Sequence, residues 1–152
     1  MLFREMYPFW SAIISAIIAQ AMKPIIHYAK TRKWRLELAF SSGGFPSSHS
    51  ALVSALALSV GLQEMFRSPL FAIALTLAVI VIYDAANVRY YSGQNVKVTQ
   101  QLVKDVQDAL HTEFEDPIYD VKLKDVLGHR WSEVIAGIIL GCGIASIFHY
   151  LL

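Results

Sequence analysis

Residues of the types that handle phosphate stand at the ends of long apolar stretches in this 152-residue sequence. One cluster, Gly43 to Ser50, comes directly before an apolar stretch, and a second, Tyr83 to Arg89, closes the following one. A third cluster, Gly128 to Glu133, comes directly before the last stretch. If consecutive stretches cross a bilayer in alternating directions, all three clusters reach the same membrane face. The sequence therefore predicts one interfacial site of the kind that a membrane enzyme uses for a phosphorylated substrate.

The first cluster has the features of a phosphate cradle at the start of a helix. Two glycines allow a tight turn, and a proline fixes the start of the helix. The first amides of a helix have no intrahelical acceptor and carry partial positive charge, which favours a bound anion. We therefore assign phosphate binding to Gly44, Ser47 and Ser48, and His49 is placed to donate to a phosphate oxygen or to protonate it. The alternative is a capped helix whose histidine merely lies at the interface.

His129 and Glu133 are four residues apart and so share one helix face. A carboxylate bonded to one imidazole nitrogen fixes the tautomer and raises the basicity of the other nitrogen, which suits a nucleophile. The same spacing also suits a metal ligand pair or a structural contact. A carboxylate at the mouth of an apolar span is costly unless it is paired, which favours a functional role for both residues.

Lys23 and Arg89 are the cations placed to bind phosphate. Arginine binds phosphate through a planar fork, and lysine as a mobile point charge. Each side chain has an alternative role as an interfacial anchor whose stem lies along apolar surface. Asp84 stands five residues before Arg89 and either pairs with a cation or binds a divalent metal.

Composition indicates an integral membrane protein. The chain is 55% hydrophobic and 16% charged, with a mean hydropathy of +0.45. A bilayer crossing takes about 20 apolar residues. Four stretches approach that length: Pro8 to about Lys23, Ala51 to about Phe66, Pro69 to about Tyr83, and Val134 to Leu152. We predict a single all-α domain over residues 1–152, a membrane bundle of about four transmembrane helices. The alternative, a soluble bundle, would need polar helix faces that these stretches lack.

The connection from Tyr90 to Leu127 predicts one further helix, amphipathic and cytoplasmic. Its apolar side chains recur at roughly helical spacing, at Val96, Thr99, Leu102, Val103, Val106 and Leu110. Basic residues concentrate in this connection and after the first stretch, so the positive-inside tendency places both connections in the cytoplasm and the N-terminus outside. We expect a bacterial cytoplasmic membrane, with the site on its cytoplasmic face.

Several partners and cofactors are excluded by composition. A formal net charge of +1, with no basic face, gives no surface for nucleic acid. The only cysteine, Cys142, forms neither a disulfide framework nor a cysteine-based metal site. We expect no cofactor and no metal, with a lipid phosphate substrate and the membrane lipids as partners. Small residues in the second and fourth stretches permit close helix contacts, and homo-oligomerisation stays open.

The ordered motifs resemble the divergent branch of the type 2 phosphatidic acid phosphatase superfamily, which is related to the vanadium haloperoxidases. The similarity runs from about Ala19 to Gly141, and Pro-Ser-Ser-His at 46–49 is its most specific part. The resemblance implies that a lysine and an arginine hold the phosphate, that a serine donates to it, and that two histidines act as acid and nucleophile. The residues in these roles are Lys23, Arg89, Ser48, His49 and His129, with Glu133 supporting the nucleophile.

Three hypotheses follow for function. The first is a metal-independent phosphatase that hydrolyses a lipid phosphate or pyrophosphate through a histidine nucleophile. The second is a non-catalytic membrane protein that uses the same cradle to bind lipid phosphate or to organise a partner. The third is a metal-dependent hydrolase that uses Asp84, His129 and Glu133.

Overall fold

The structure, a computed structural model, describes residues 2–41, 43–112, 114 and 130–151, and within these ranges every regular element is helical. The predicted all-α membrane bundle is confirmed. In chain order the elements are α1 (Leu2–Glu5), α2 (Tyr7–Thr31), a 3₁₀ helix (Leu36–Phe40), α3 (Ser48–Glu64), α4 (Pro69–Tyr83), a π-helical turn (Asp84–Val88), α5 (Arg89–Leu110) and α6 (Trp131–Leu151).

Serine caps and prolines set where the central hairpin begins. Ser47 precedes α3, and its side chain accepts a hydrogen bond from the Ser50 amide. Ser68 does the same for α4 by accepting from the Phe71 amide, and Pro69 follows as the first helical residue. These side chains satisfy amides that have no partner within the helix. Both helix starts therefore agree with the sequence prediction.

The first long helix, α2, is longer than its apolar stretch. Helical structure continues past Lys23 to Thr31 and ends where Arg32 adopts a left-handed conformation, with φ of 58°. Pro24 lies inside this helix and is buried. Neighbouring helices make an internal proline tolerable in a membrane bundle because they shield the backbone group that it frees.

The centre of the bundle is α3, which packs on α2, α4 and α6. Where α3 contacts α6, the two helix backbones touch each other directly. Gly137 and Gly141 are four residues apart, as in the Gly-x-x-x-Gly pattern, and a Cβ added at either would collide with the backbone of Ser47 or Ala51. Apolar side chains give little driving force for association within lipid, so this close approach is what holds α3 and α6 together.

Hydroxyl groups link the helices at the far end of the bundle. The Tyr7 hydroxyl donates to the carbonyl of Ala145 at 2.8 Å, which joins the start of α2 to the end of α6. Ser11 and Ser59 share a hydrogen bond between their hydroxyls, and both are fully buried. These contacts make α2 antiparallel to α3 and to α6.

Among the described residues, three helices are long and apolar enough to cross a membrane: Tyr7–Thr31, Pro69–Leu110 and Trp131–Leu151. The remaining predicted span, α3, has 17 residues, so the count of four stays a prediction. The predicted amphipathic helix exists as α5, but it continues α4 in one helix of 42 residues. At 1.5 Å per residue that helix is about 63 Å long, roughly twice the hydrocarbon thickness of a bilayer.

Candidate functional site

The described residues of the three polar clusters lie at one end of the bundle, where α2 and α4 end and where α3 and α6 begin. We call this the site end. Direct contacts join the clusters there: the Ser47 amide donates to the Glu133 carbonyl at 2.9 Å, and the π-helical turn packs on α6. The expectation that alternating helices would bring the clusters to a common face agrees with this arrangement.

Lys23 lies at the centre of the site end. Its side chain is only 3% exposed, and Nζ donates to the carbonyl of Ser41 at 2.9 Å. Burial disfavours the charged ammonium group, and the carboxylate of Glu133 offsets part of that cost electrostatically. An ammonium group carries three donors, and the described residues accept one of them. A buried cation with donors to spare is suited to an anionic ligand.

The loop before α3 passes over the stem of Lys23. Gly44 has φ of +98°, a conformation that favours glycine, and a Cβ there would lie 3.7 Å from Cδ of Lys23. The 3₁₀ helix before this loop packs on α2, and the Lys30 ammonium lies 5.5 Å from the ring centre of Phe45. Gly44 itself is exposed, so its backbone is accessible at the surface beside the stem of Lys23.

Ser47 and Ser48, at the start of α3, are both buried but have different roles. Ser47 is fully buried, and its Oγ accepts from both the amide and the hydroxyl of Ser50, at 3.3 and 3.0 Å. Its hydroxyl is thus occupied by the cap. Ser48 is 7% exposed and His49 is half-buried, both in the first turn. Their amides precede the capped one and have no acceptor within the helix.

Glu133 has a structural role that the sequence analysis missed. Its Oε2 accepts from the Arg130 amide at 3.2 Å, so the side chain caps the helix that it belongs to. A glutamate in the third helical position that reaches back to the capping residue is half of a capping box. This capping bond, together with the electrostatic interaction with Lys23, explains how the carboxylate is tolerated at the mouth of an apolar helix.

Arg89 and Asp84 form an ion pair at the end of α4. Arg89 Nε lies 2.7 Å from Asp84 Oδ2, and the two side chains are 41% and 37% exposed. Residues five apart do not share a face in an α-helix, but the π-helical turn between them has i to i+5 hydrogen bonds and brings them together. The sequence left two roles open for Asp84, pairing with a cation and binding a metal. In the structure it pairs with a cation, Arg89.

His129 lies outside the described residues. The described residue next to it, Arg130, starts the turn that carries Glu133. The Ser41 carbonyl could not be predicted as a partner of Lys23, because a backbone acceptor leaves no signal in residue type.

Comparison with known proteins adds to this geometry. The family described as Divergent PAP2 matches residues 5–144. The uncharacterized membrane protein YuiD of Bacillus subtilis strain 168 is 35% identical over 149 residues, which cover 95% of this chain and 94% of YuiD. No solved structure matches the chain.

Proposed function

Because this chain belongs to the divergent PAP2 family, we propose that it is a membrane phosphatase that hydrolyses a lipid phosphate or pyrophosphate at the site end. The observation that carries the proposal is the buried Lys23 ammonium group, which donates to the Ser41 carbonyl and interacts electrostatically with Glu133, beside the loop that leads into α3. A buried cation near a helix N-terminus, whose first amides have no intrahelical acceptor, is an arrangement that binds phosphate.

The phosphate oxygens would be held by Lys23, by the amides of the first turn of α3 and by the Ser48 hydroxyl. Gly44 contributes the open backbone at the entrance, and Ser47 acts through the cap that orients the turn. Arg89 is a second cation for the phosphate, but it would have to exchange part of its pairing with Asp84. Lys23 therefore supplies most of the fixed positive charge.

The chemistry that we propose has two steps. His129 attacks phosphorus and forms a phosphorus–nitrogen bond, while the bond to the leaving oxygen breaks and His49 gives that oxygen a proton. Water then attacks phosphorus, the phosphorus–nitrogen bond breaks, and His49 takes the proton that the water loses, which releases phosphate and restores both histidines. Glu133 offsets the positive charge that develops on the imidazole, from a position fixed by the Arg130 amide. The lipid tail of the substrate stays in the bilayer, beside the helices.

Phosphate release from a panel of lipid phosphates by purified protein tests this proposal. Turnover that survives EDTA supports the metal-independent mechanism, and turnover abolished by EDTA supports the hydrolase that uses Asp84. Binding of lipid phosphate without any turnover would leave the non-catalytic function.

Removing the buried cation should abolish anion binding. Lys23→Met keeps the length of the side chain but deletes the charge, so vanadate binding should fall below detection. Arg89→Ala should weaken it by roughly tenfold or more, as expected for one charge-assisted contact. Isothermal titration calorimetry in detergent measures the vanadate affinity of both variants. Lys33→Met, which removes an exposed cation beyond the end of α2, is the matched control. Unchanged affinity in folded Lys23→Met protein would remove the lysine from the phosphate site.

The orientation of the chain follows from its basic residues. Lys30, Lys33 and the lysines of α5 lie at or beyond the site end, which should therefore face the cytoplasm. In a Cys142→Ser background, a cysteine at Glu64 should react with a membrane-impermeant maleimide in intact cells. A cysteine at Gln101 should react only after permeabilisation. The reverse labelling pattern would place the site on the outer face.

A further inference from the structure

A second cleft opens at the site end, between the start of α6 and the helix formed by α4 and α5. Its volume is about 340 Å³. We call it the aromatic cleft, and its lining residues are Ala86, Asn87, Tyr90, Tyr91, Arg130 and Trp131. The phosphatase mechanism proposed above uses none of these side chains.

The aromatic cleft is separate from the Lys23 site because α6 stands between them. Glu133 faces Lys23 and the start of α3. Trp131 is two residues earlier in the same helical turn, which turns its side chain about 200° away at 3.6 residues per turn. The two sites therefore open on different sides of α6.

Arg130 gives the aromatic cleft a positive charge. Among the described residues no carboxylate forms an ion pair with its guanidinium group, whereas Arg89 pairs with Asp84 and Arg35 with Glu37. Its backbone amide is the group that binds Glu133. The guanidinium is exposed and offers a planar fork of donors, which suits a phosphate diester.

The remaining lining suits the headgroup level of a membrane. Trp131 and Tyr91 are 55% and 62% exposed, and Tyr90 packs edge-on against Tyr91 with ring centres 5.5 Å apart. Tryptophan and tyrosine favour the membrane–water interface. The Asn87 amide makes only a long 3.5 Å bond to the Tyr83 carbonyl, so it remains able to bind a headgroup hydroxyl.

Both walls of the cleft continue as apolar surface. On α6, Ile135 and Ile139 are 53% and 67% exposed, and on α4 Ile80 is 60% exposed. Exposed isoleucines on helices long enough to cross a membrane face acyl chains. A ligand with a phosphate group and two fatty acyl chains therefore matches the charge, the aromatic rim and the apolar walls together.

We propose that the aromatic cleft binds the headgroup of an anionic glycerophospholipid, of the phosphatidylglycerol type, which the protein does not hydrolyse. Arg130 binds the phosphate diester, Asn87 binds the glycerol hydroxyls, and Trp131 and Tyr91 flank the ester region. This site is independent of the proposed phosphatase reaction. Basic pockets between transmembrane helices bind anionic headgroups by the same chemistry.

Quenching of Trp131 fluorescence tests the cleft. In a Trp10→Phe, Trp34→Phe background, the protein is placed in nanodiscs that contain brominated phosphatidylglycerol or brominated phosphatidylcholine. The affinity for brominated phosphatidylglycerol should be roughly tenfold higher than that for brominated phosphatidylcholine, which is the effect of one charge-assisted contact. Arg130→Gln should remove the preference, and Arg130→Lys should restore part of it. Arg67→Gln, at the opposite end of the bundle, should leave it unchanged.

Four results would overturn the proposal. Equal quenching by the two lipids would show no selectivity, and a preference that survives Arg130→Gln would remove the arginine from it. Displacement of the lipid by free glycerol 3-phosphate would indicate a site for soluble anions. Loss of the preference in Lys23→Met would assign the lipid to the phosphate site. The readout needs no turnover, so it stands or falls separately from the phosphatase activity.

Discussion

Gly141→Ala is expected to separate α3 from α6 and to destabilise the bundle strongly. A Cβ at this position would lie 3.0 Å from the carbonyl carbon and from Cα of Ala51, and closer still to the carbonyl oxygen. Backbone atoms cannot rotate away, so one helix must move. Overpacking of this kind costs about 1–3 kcal/mol, and more where the structure cannot relax. Thermal unfolding in detergent measures the loss.

Gly143→Ala is the matched control for that experiment. It adds the same methyl group two residues later in the same helix, where no atom lies within 4 Å. Alanine also has the better intrinsic helix propensity, so this variant should melt at or above the temperature of the native protein. If Gly141→Ala were as stable as Gly143→Ala, the backbone contact between α3 and α6 would not hold the bundle together.

His129→Ala should abolish turnover, with a loss of several orders of magnitude, because it removes the proposed nucleophile. Substrate binding should persist, since Lys23 and the first turn of α3 still hold the phosphate. Native protein quenched in acid after brief exposure to labelled substrate should carry acid-labile, base-stable label, and His129→Ala protein should carry none.

Two further variants separate the roles at this site. His149→Ala is the control, because that histidine packs against Tyr7 at the opposite end of the bundle. Glu133→Gln should retain weak activity, since the amide oxygen can still cap α6 while the negative charge is lost. Robust turnover by His129→Ala would rule out the phosphohistidine mechanism and favour the metal-dependent hydrolase.

The common location of the polar clusters was predictable because it depends only on helix direction. Apolar stretches of membrane length alternate, so polar residues at the end of one and at the start of the next share a face. The start of α3 was predictable for a similar reason: a serine cap after a proline is a local signal. Neither prediction required knowledge of any tertiary contact.

Three other features of the structure could not be predicted from local residue types or spacing. Hydropathy falls after Lys23 because the following turns carry His27 and Lys30, yet helix formation continues where lipid burial stops. The carbonyl that binds Lys23 belongs to Ser41, and any residue type would provide it. Pairing between Asp84 and Arg89 depends on a turn of unusual width, which spacing alone does not predict.

The π-helical turn at Asp84–Val88 determines the direction in which every later side chain of this long helix points. A π-helical turn is one residue longer than the α-helical turn that it replaces. If the same residues formed an ordinary α-helix instead, every side chain after Arg89 would point about 100° away from its present direction. The apolar stripe of α5 would then face a new direction, and Tyr90 and Tyr91 would leave Trp131. The wide turn therefore decides which way α5 faces, and it absorbs the one additional residue that this stretch contains.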